Sequence, residues 1–167
     1  MQQILNVFLN ICLFRAKPEQ LPYSYLLMLM AIIAYIAADL WVNLATQSVN
    51  KAILATTLQS ALLLGLTYAA LWIRDFHNRL VKTMSAIAGS SAIFTLGRYP
   101  LISILQSPHK SLGGVVSLIF MGLIIWNAAV LGHVLRSALS LPSWGGAGLA
   151  VVYFILYMKV LIVLSIG

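Results

Sequence analysis

The chain has 167 residues, of which 62% are hydrophobic and only 8% charged. Soluble domains are typically about 45–50% apolar and about 25% charged, so this composition leaves too little polarity to cover a water-facing surface. The formal net charge is +7, but the ten Lys and Arg stand singly beside apolar runs, without the basic stripe and interleaved aromatics of a nucleic-acid surface.

A chain in lipid must satisfy its backbone polar groups internally, which leaves helices or closed barrels. Here the apolar residues come in long runs and do not alternate, so helices are expected. The predicted fold class is all-α, a polytopic membrane helix bundle of five transmembrane helices preceded by a short interfacial amphipathic helix. Residues 1–17 form the interfacial segment and 18–167 a single membrane domain, because no hydrophilic stretch is long enough for a soluble one.

In the first segment, Gln2, Gln3, Asn6 and Asn10 fall in one wedge at 100° per residue, with Ile4, Leu5, Val7, Phe8, Leu9, Ile11 and Cys12 around the rest. An apolar run this short does not span, and Arg15 and Lys17 follow it where a signal peptide would have its charges in front. It reads as a helix in the interface or against the spans, ended at Lys17-Pro18. Cys12 is the single cysteine, so an internal disulfide, a CxxC site and a thiolate metal cage are excluded.

Spans are then expected at 22–43, 52–73, 83–105, 112–135 and 146–166. Their joins are Gln47 to Lys51, Arg74 to Arg79, Ser107-Pro108-His109-Lys110, and Pro142 to Gly146, with Gly113-Gly114 and Gly145-Gly146 as turns or hinges. Arg15, Lys17, Arg74, Arg79, Lys82 and Arg136 would share one side, against Lys51 and Lys110 on the other. The excess of Lys and Arg places the N-terminus in the cytoplasm, the C-terminus outside, and the protein in a bacterial inner membrane.

Ionisable groups within spans are costly and frequently functional. Asp39, Arg98 and Lys159 lie in the first, third and fifth spans, each roughly 20–24 Å from the same end at 1.5 Å per residue. They form an expected intramembrane polar cluster in which Asp39 pairs with Arg98 or Lys159. The bland alternatives are a structural ion pair, snorkelling of Lys159, and an interfacial boundary at Asp39, Trp41 and Asn43. Arg98 stands two residues before Pro100, where the helix is expected to kink or unwind. Ala31, Ala34 and Ala38 on the first span, and Ser85, Gly89 and Ala92 on the third, are expected helix-packing faces that bring those spans together. Asn127 is expected to hydrogen-bond a neighbouring helix.

No chemistry gathers around these groups. H-E-x-x-H and the P-loop are absent, and Glu19, Asp39 and Asp75 are scattered, so no metal or phosphate site is expected. His77, His109 and His133 cannot share one ion, and no cofactor is expected. Gly89-Ser90-Ser91 with His133 is a weak candidate for an intramembrane serine nucleophile.

The stretch from Phe8 to Pro22, FLNICLFRAKPEQLP, followed by five spans, resembles uncharacterised small inner-membrane proteins of Gram-negative bacteria. The layout is similar to that of the Yip1-like five-span proteins, whose eukaryotic relatives are binding partners in membrane traffic. The resemblance implies a role in binding over catalysis. The expected function is a non-catalytic accessory or assembly subunit, or scaffold, of a larger inner-membrane complex. The alternative is a small oligomeric transporter or channel using the Asp/Arg/Lys layer. The expected partners are the lipid bilayer and other membrane subunits or further copies of the chain.

Overall fold

The computed structural model describes residues 2–106 and 113–166, with side-chain surroundings for 4–106, 113–142 and 144–160. Among them are six α-helices: α1 (Gln2–Cys12), α2 (Tyr25–Thr46), α3 (Val49–Ile73), α4 (Leu80–Leu105), α5 (Gly113–Ala138) and α6 (Ser143–Ile166). Short 3-10 turns at Pro18–Gln20 and His77–Arg79 lead into α2 and α4, and no strand occurs among the described residues. The join 107–110, with His109 and Lys110, lies outside the described residues.

Four helices, α2 to α5, are long and apolar enough to cross a membrane. The described apolar part of α6 within that test runs from Trp144 to Val160. The protein is therefore an all-α bundle with four candidate membrane spans, and α6 stands beside them as a helix of 24 residues.

The least apolar of the long helices is the central one. From Val81 to Ala92, α4 is buried all round except at Lys82. Lipid-facing positions call for Leu and Ile, whereas a position enclosed by helices calls for small side chains that let backbones approach. The sequence of α4 between Thr83 and Ala92 is mostly Ser, Ala, Gly and Thr. Hydroxyls there donate to their own helix: Thr83 Oγ1 to Arg79 O and Ser85 Oγ to Val81 O, both at 2.8 Å. This bonding removes the cost of an unpaired hydroxyl in an apolar interior.

The outer helices each bury a narrow stripe. On α2 it runs Ala31, Tyr35, Ala38, Asp39, Val42 and Asn43. Ala34, expected on that face, is exposed. Relative to Ala31 it lies about 60° to one side at 100° per residue, whereas Tyr35, Asp39 and Val42 lie to the other. The spans carrying the two small-residue faces do pack together, α2 against α4. Gly89, however, faces α1, where an added Cβ would overlap the Phe8 ring.

Gly132 and Gly146 bring α5 and α6 into close contact: a Cβ at Gly132 would stand 2.8 Å from Gly146 O. Gly146 thus lies inside α6 as a packing residue, where a turn was expected. Pro100 also sits within a helix, since α4 continues through it to Leu105. Its missing N–H leaves the carbonyl of Leu96 without the usual helical donor.

The helix α1 is docked on the bundle, burying Phe8, Ile11 and Cys12 and leaving Leu5 and Leu9 exposed. Three helices end on non-glycine residues in the left-handed region: Phe14 (φ 59°) after α1, Asp75 (54°) after α3 and Ser140 (51°) after α5. Each is followed by the long backbone bond of a Schellman turn, from Arg15 N to Asn10 O, Phe76 N to Leu71 O and Leu141 N to Arg136 O.

Candidate functional site

Asp39 and Arg98 meet in the interior. Arg98 Nη2 lies 3.9 Å from Asp39 Oδ1, with the two side chains 13% and 4% exposed. The carboxylate is held from its other side by α2 and α3. Asn43 Nδ2 donates to Asp39 Oδ2 at 3.2 Å and to Thr56 Oγ1 at 3.0 Å. The Gln59 amide, oriented so that its nitrogen faces the carboxylate, donates to Oδ2 at 2.7 Å and Oδ1 at 3.3 Å.

The guanidinium is bound by its own helix and by α6. Nη2 donates to Thr95 Oγ1 at 3.0 Å and Nη1 to Tyr157 Oη at 3.1 Å. Four helices therefore contribute to one polar network, with a donor to both carboxylate oxygens and an acceptor for both Nη atoms. A buried ion pair of this kind offsets its desolvation only when such extra hydrogen bonds are in place.

Lys159 is not part of it. Two residues beyond Tyr157, it is at the same depth but about 200° further round α6, on an exposed face. Asn43, expected at an outer boundary, is buried and belongs to the network. Thr56, Gln59, Thr95 and Tyr157 were missed from the sequence. Two signals were available: Asn43 stands one helical turn after Asp39, and Thr56 and Gln59 share one face at a spacing of three.

One polar atom of the network is left over. Arg98 Nε is buried without a partner among the described residues, beside a cavity of about 20 Å³ lined by Tyr35, Ser91, Thr95, Asn127, Tyr153 and Tyr157, among others. A water needs on the order of 10–15 Å³, so there is room for one small guest. Asn127, expected to bond a neighbouring helix, lines this cavity and has no hydrogen bond among the described residues.

The serine candidate does not assemble. Ser90 Oγ donates to Ala86 O at 2.8 Å. His133 faces elsewhere: its Nε2 donates to Ala16 O at 3.4 Å, and its ring meets Phe14 edge-on at 5.4 Å. No group of three His, Cys, Asp or Glu able to hold a metal occurs among the described residues. Compared with known proteins, the chain matches no family model, no curated protein and no solved structure.

Proposed function

We propose that the protein is a non-catalytic integral membrane subunit, serving as an accessory or assembly component, or scaffold, of a larger inner-membrane complex. The observation that carries this reading is where the costly polar groups are used. Asp39, Asn43, Gln59, Thr56, Arg98 and Tyr157 bond to one another across four helices, as a clamp does. Among the described residues, Ser90 is bonded to its own helix and His133 faces Ala16 and Phe14.

In this reading α6 is the fifth crossing, and the N-terminus is cytoplasmic. Support comes from its 24 residues and from the basic residues Arg15, Lys17, Arg74, Arg79, Lys82 and Arg136. Large exposed side chains such as Leu26, Leu29, Leu118 and Ile125 offer apolar faces to lipid or to neighbouring subunits.

The test is purification at native expression level in nanodiscs, followed by mass spectrometry. A stoichiometric, salt-resistant protein partner is the expected result. A monodisperse homo-oligomer with no partner overturns the subunit reading. A second reading, a small transporter or channel, is favoured by one observation: the unpartnered Arg98 Nε beside a polar cavity. Ion flux in proteoliposomes that Arg98→Gln abolishes, in a variant that keeps the parent's monodispersity and helicity, would establish it.

A further inference from the structure

Away from the Asp39 network, the basic residues gather where the segment after α1 crosses the end of α5. Lys17, His133 and Arg136 line a recess of about 440 Å³ there, together with Glu19, Ser137 and Ser140. The acidic member is already engaged, because Glu19 Oε1 lies 3.7 Å from Arg79 Nη1. The helix end is also covered: Arg79 Nη1 donates to Ala138 O at 3.1 Å and Ser140 Oγ at 3.2 Å. The recess therefore sets Lys17 and Arg136 against one carboxylate, Glu19, which is drawn to Arg79.

Below it on the same face of α5 the chemistry changes. Ile125, Ala129, His133 and Arg136 fall within an arc of about 80°, and the stretch from Arg136 to Ile125 is roughly 16 Å long. Ile125, Trp126 and Ala129, with Leu13 and Phe14 from the end of α1, line an apolar groove of about 450 Å³ whose one charged lining residue is Arg15. On the other side, Ile125, Ala129, Ala150 and Val151 line a second groove between α5 and α6, of about 280 Å³. The strip thus has a basic head and two apolar channels, and its length matches half of a hydrocarbon core of about 30 Å.

That strip is also fixed in shape. The Trp126 indole donates to Cys12 O at 2.9 Å, and Phe14, turned into the left-handed region, contacts both the Trp126 and the His133 rings. A basic recess between helices at the bilayer surface suits an anionic headgroup. We infer that this face of α5 is a binding site for one anionic phospholipid, with the phosphate in the Lys17/Arg136 recess and acyl chains along the Ile125/Ala129 grooves. The site does not depend on the subunit role proposed above.

The test uses the full chain, delipidated in a nonionic detergent, with native mass spectrometry and thermal unfolding read against added lipid. Dioleoylphosphatidylglycerol should give a one-to-one adduct and raise the unfolding midpoint, while dioleoylphosphatidylcholine does neither. Replacing Lys17 and Arg136 together by Gln should weaken phosphatidylglycerol binding at least tenfold. Both side chains are exposed, so folding is expected to survive. Gly122→Leu places a side chain in the groove where an added Cβ meets nothing within 4 Å, and should displace the lipid while leaving the fold intact. Equal binding of phosphatidylcholine, or full binding by the Gln double variant, overturns the site. Inorganic phosphate that stabilises the protein as well as the lipid does also overturns it, since the grooves would then play no part.

Discussion

Where α2, α3, α4 and α6 meet, contact is made through Asp39, Asn43, Gln59, Arg98 and Tyr157, each bonded to a partner on another helix or one turn away. Where α1, α5 and the start of α6 meet the bundle, contact is made through Phe8 on Gly89 and Gly132 on Gly146. The first region is held by hydrogen bonds that lipid cannot replace, the second by close backbone approach. The difference teaches that a polar clamp and a small-residue seam fail in different ways. One fails when a partner is removed, the other when an atom is added.

The largest effect should follow from breaking the clamp on one side. Arg98→Leu leaves Asp39 buried without its counter-charge and is expected to destabilise the protein by about 3–5 kcal/mol in denaturant unfolding of purified material. Replacing Asp39 by Leu in the same chain should recover most of that loss, since removing both members of a buried pair is often neutral. A single variant as stable as the parent would show that the pair does not hold the helices together.

The seam gives a smaller response of opposite origin. Gly132→Ala would place a methyl group 2.8 Å from Gly146 O and 2.9 Å from Ala150 Cβ, forcing α5 and α6 apart. Overpacking of this kind costs about 1–3 kcal/mol. Gly122→Ala, whose Cβ meets nothing within 4 Å, should be neutral or slightly stabilising. Equal unfolding midpoints for the two variants would remove the seam from the comparison.

The smallest effect is chemical and leaves stability alone. Burial pushes the Cys12 thiol up to about 11. A raised value keeps the group neutral at lower pH, so it becomes thiolate only as pH climbs towards 11. Maleimide labelling of the native protein at pH 8 should therefore be slow, and a cysteine placed at the exposed Leu5 should label much faster. Rapid labelling of Cys12 would mean that α1 leaves its seat between α4 and α5.

Much of this architecture was legible because hydrophobic run length is a one-dimensional property. The low charge content and the apolar runs determine helices in lipid, and a rise of about 1.5 Å per residue sets the depth of each charge along its helix. Asp39 and Arg98 could be matched by depth for that reason. Rotation about each helix axis is not readable in the same way, because lipid-facing and partner-facing positions are both apolar. Lys159 has the right depth and the wrong side, Ala34 has the right spacing and the wrong side, and Gly89 faces α1 where α2 was expected. Only the packed bundle decided which faces meet, and with them the inclusion of Asn43, Gln59 and Tyr157 in the clamp. The basic recess above an apolar strip on α5 is also a product of packing. It exists only because the chain after α1 folds back across α5 and brings Lys17 beside Arg136, residues that are 119 positions apart in the sequence.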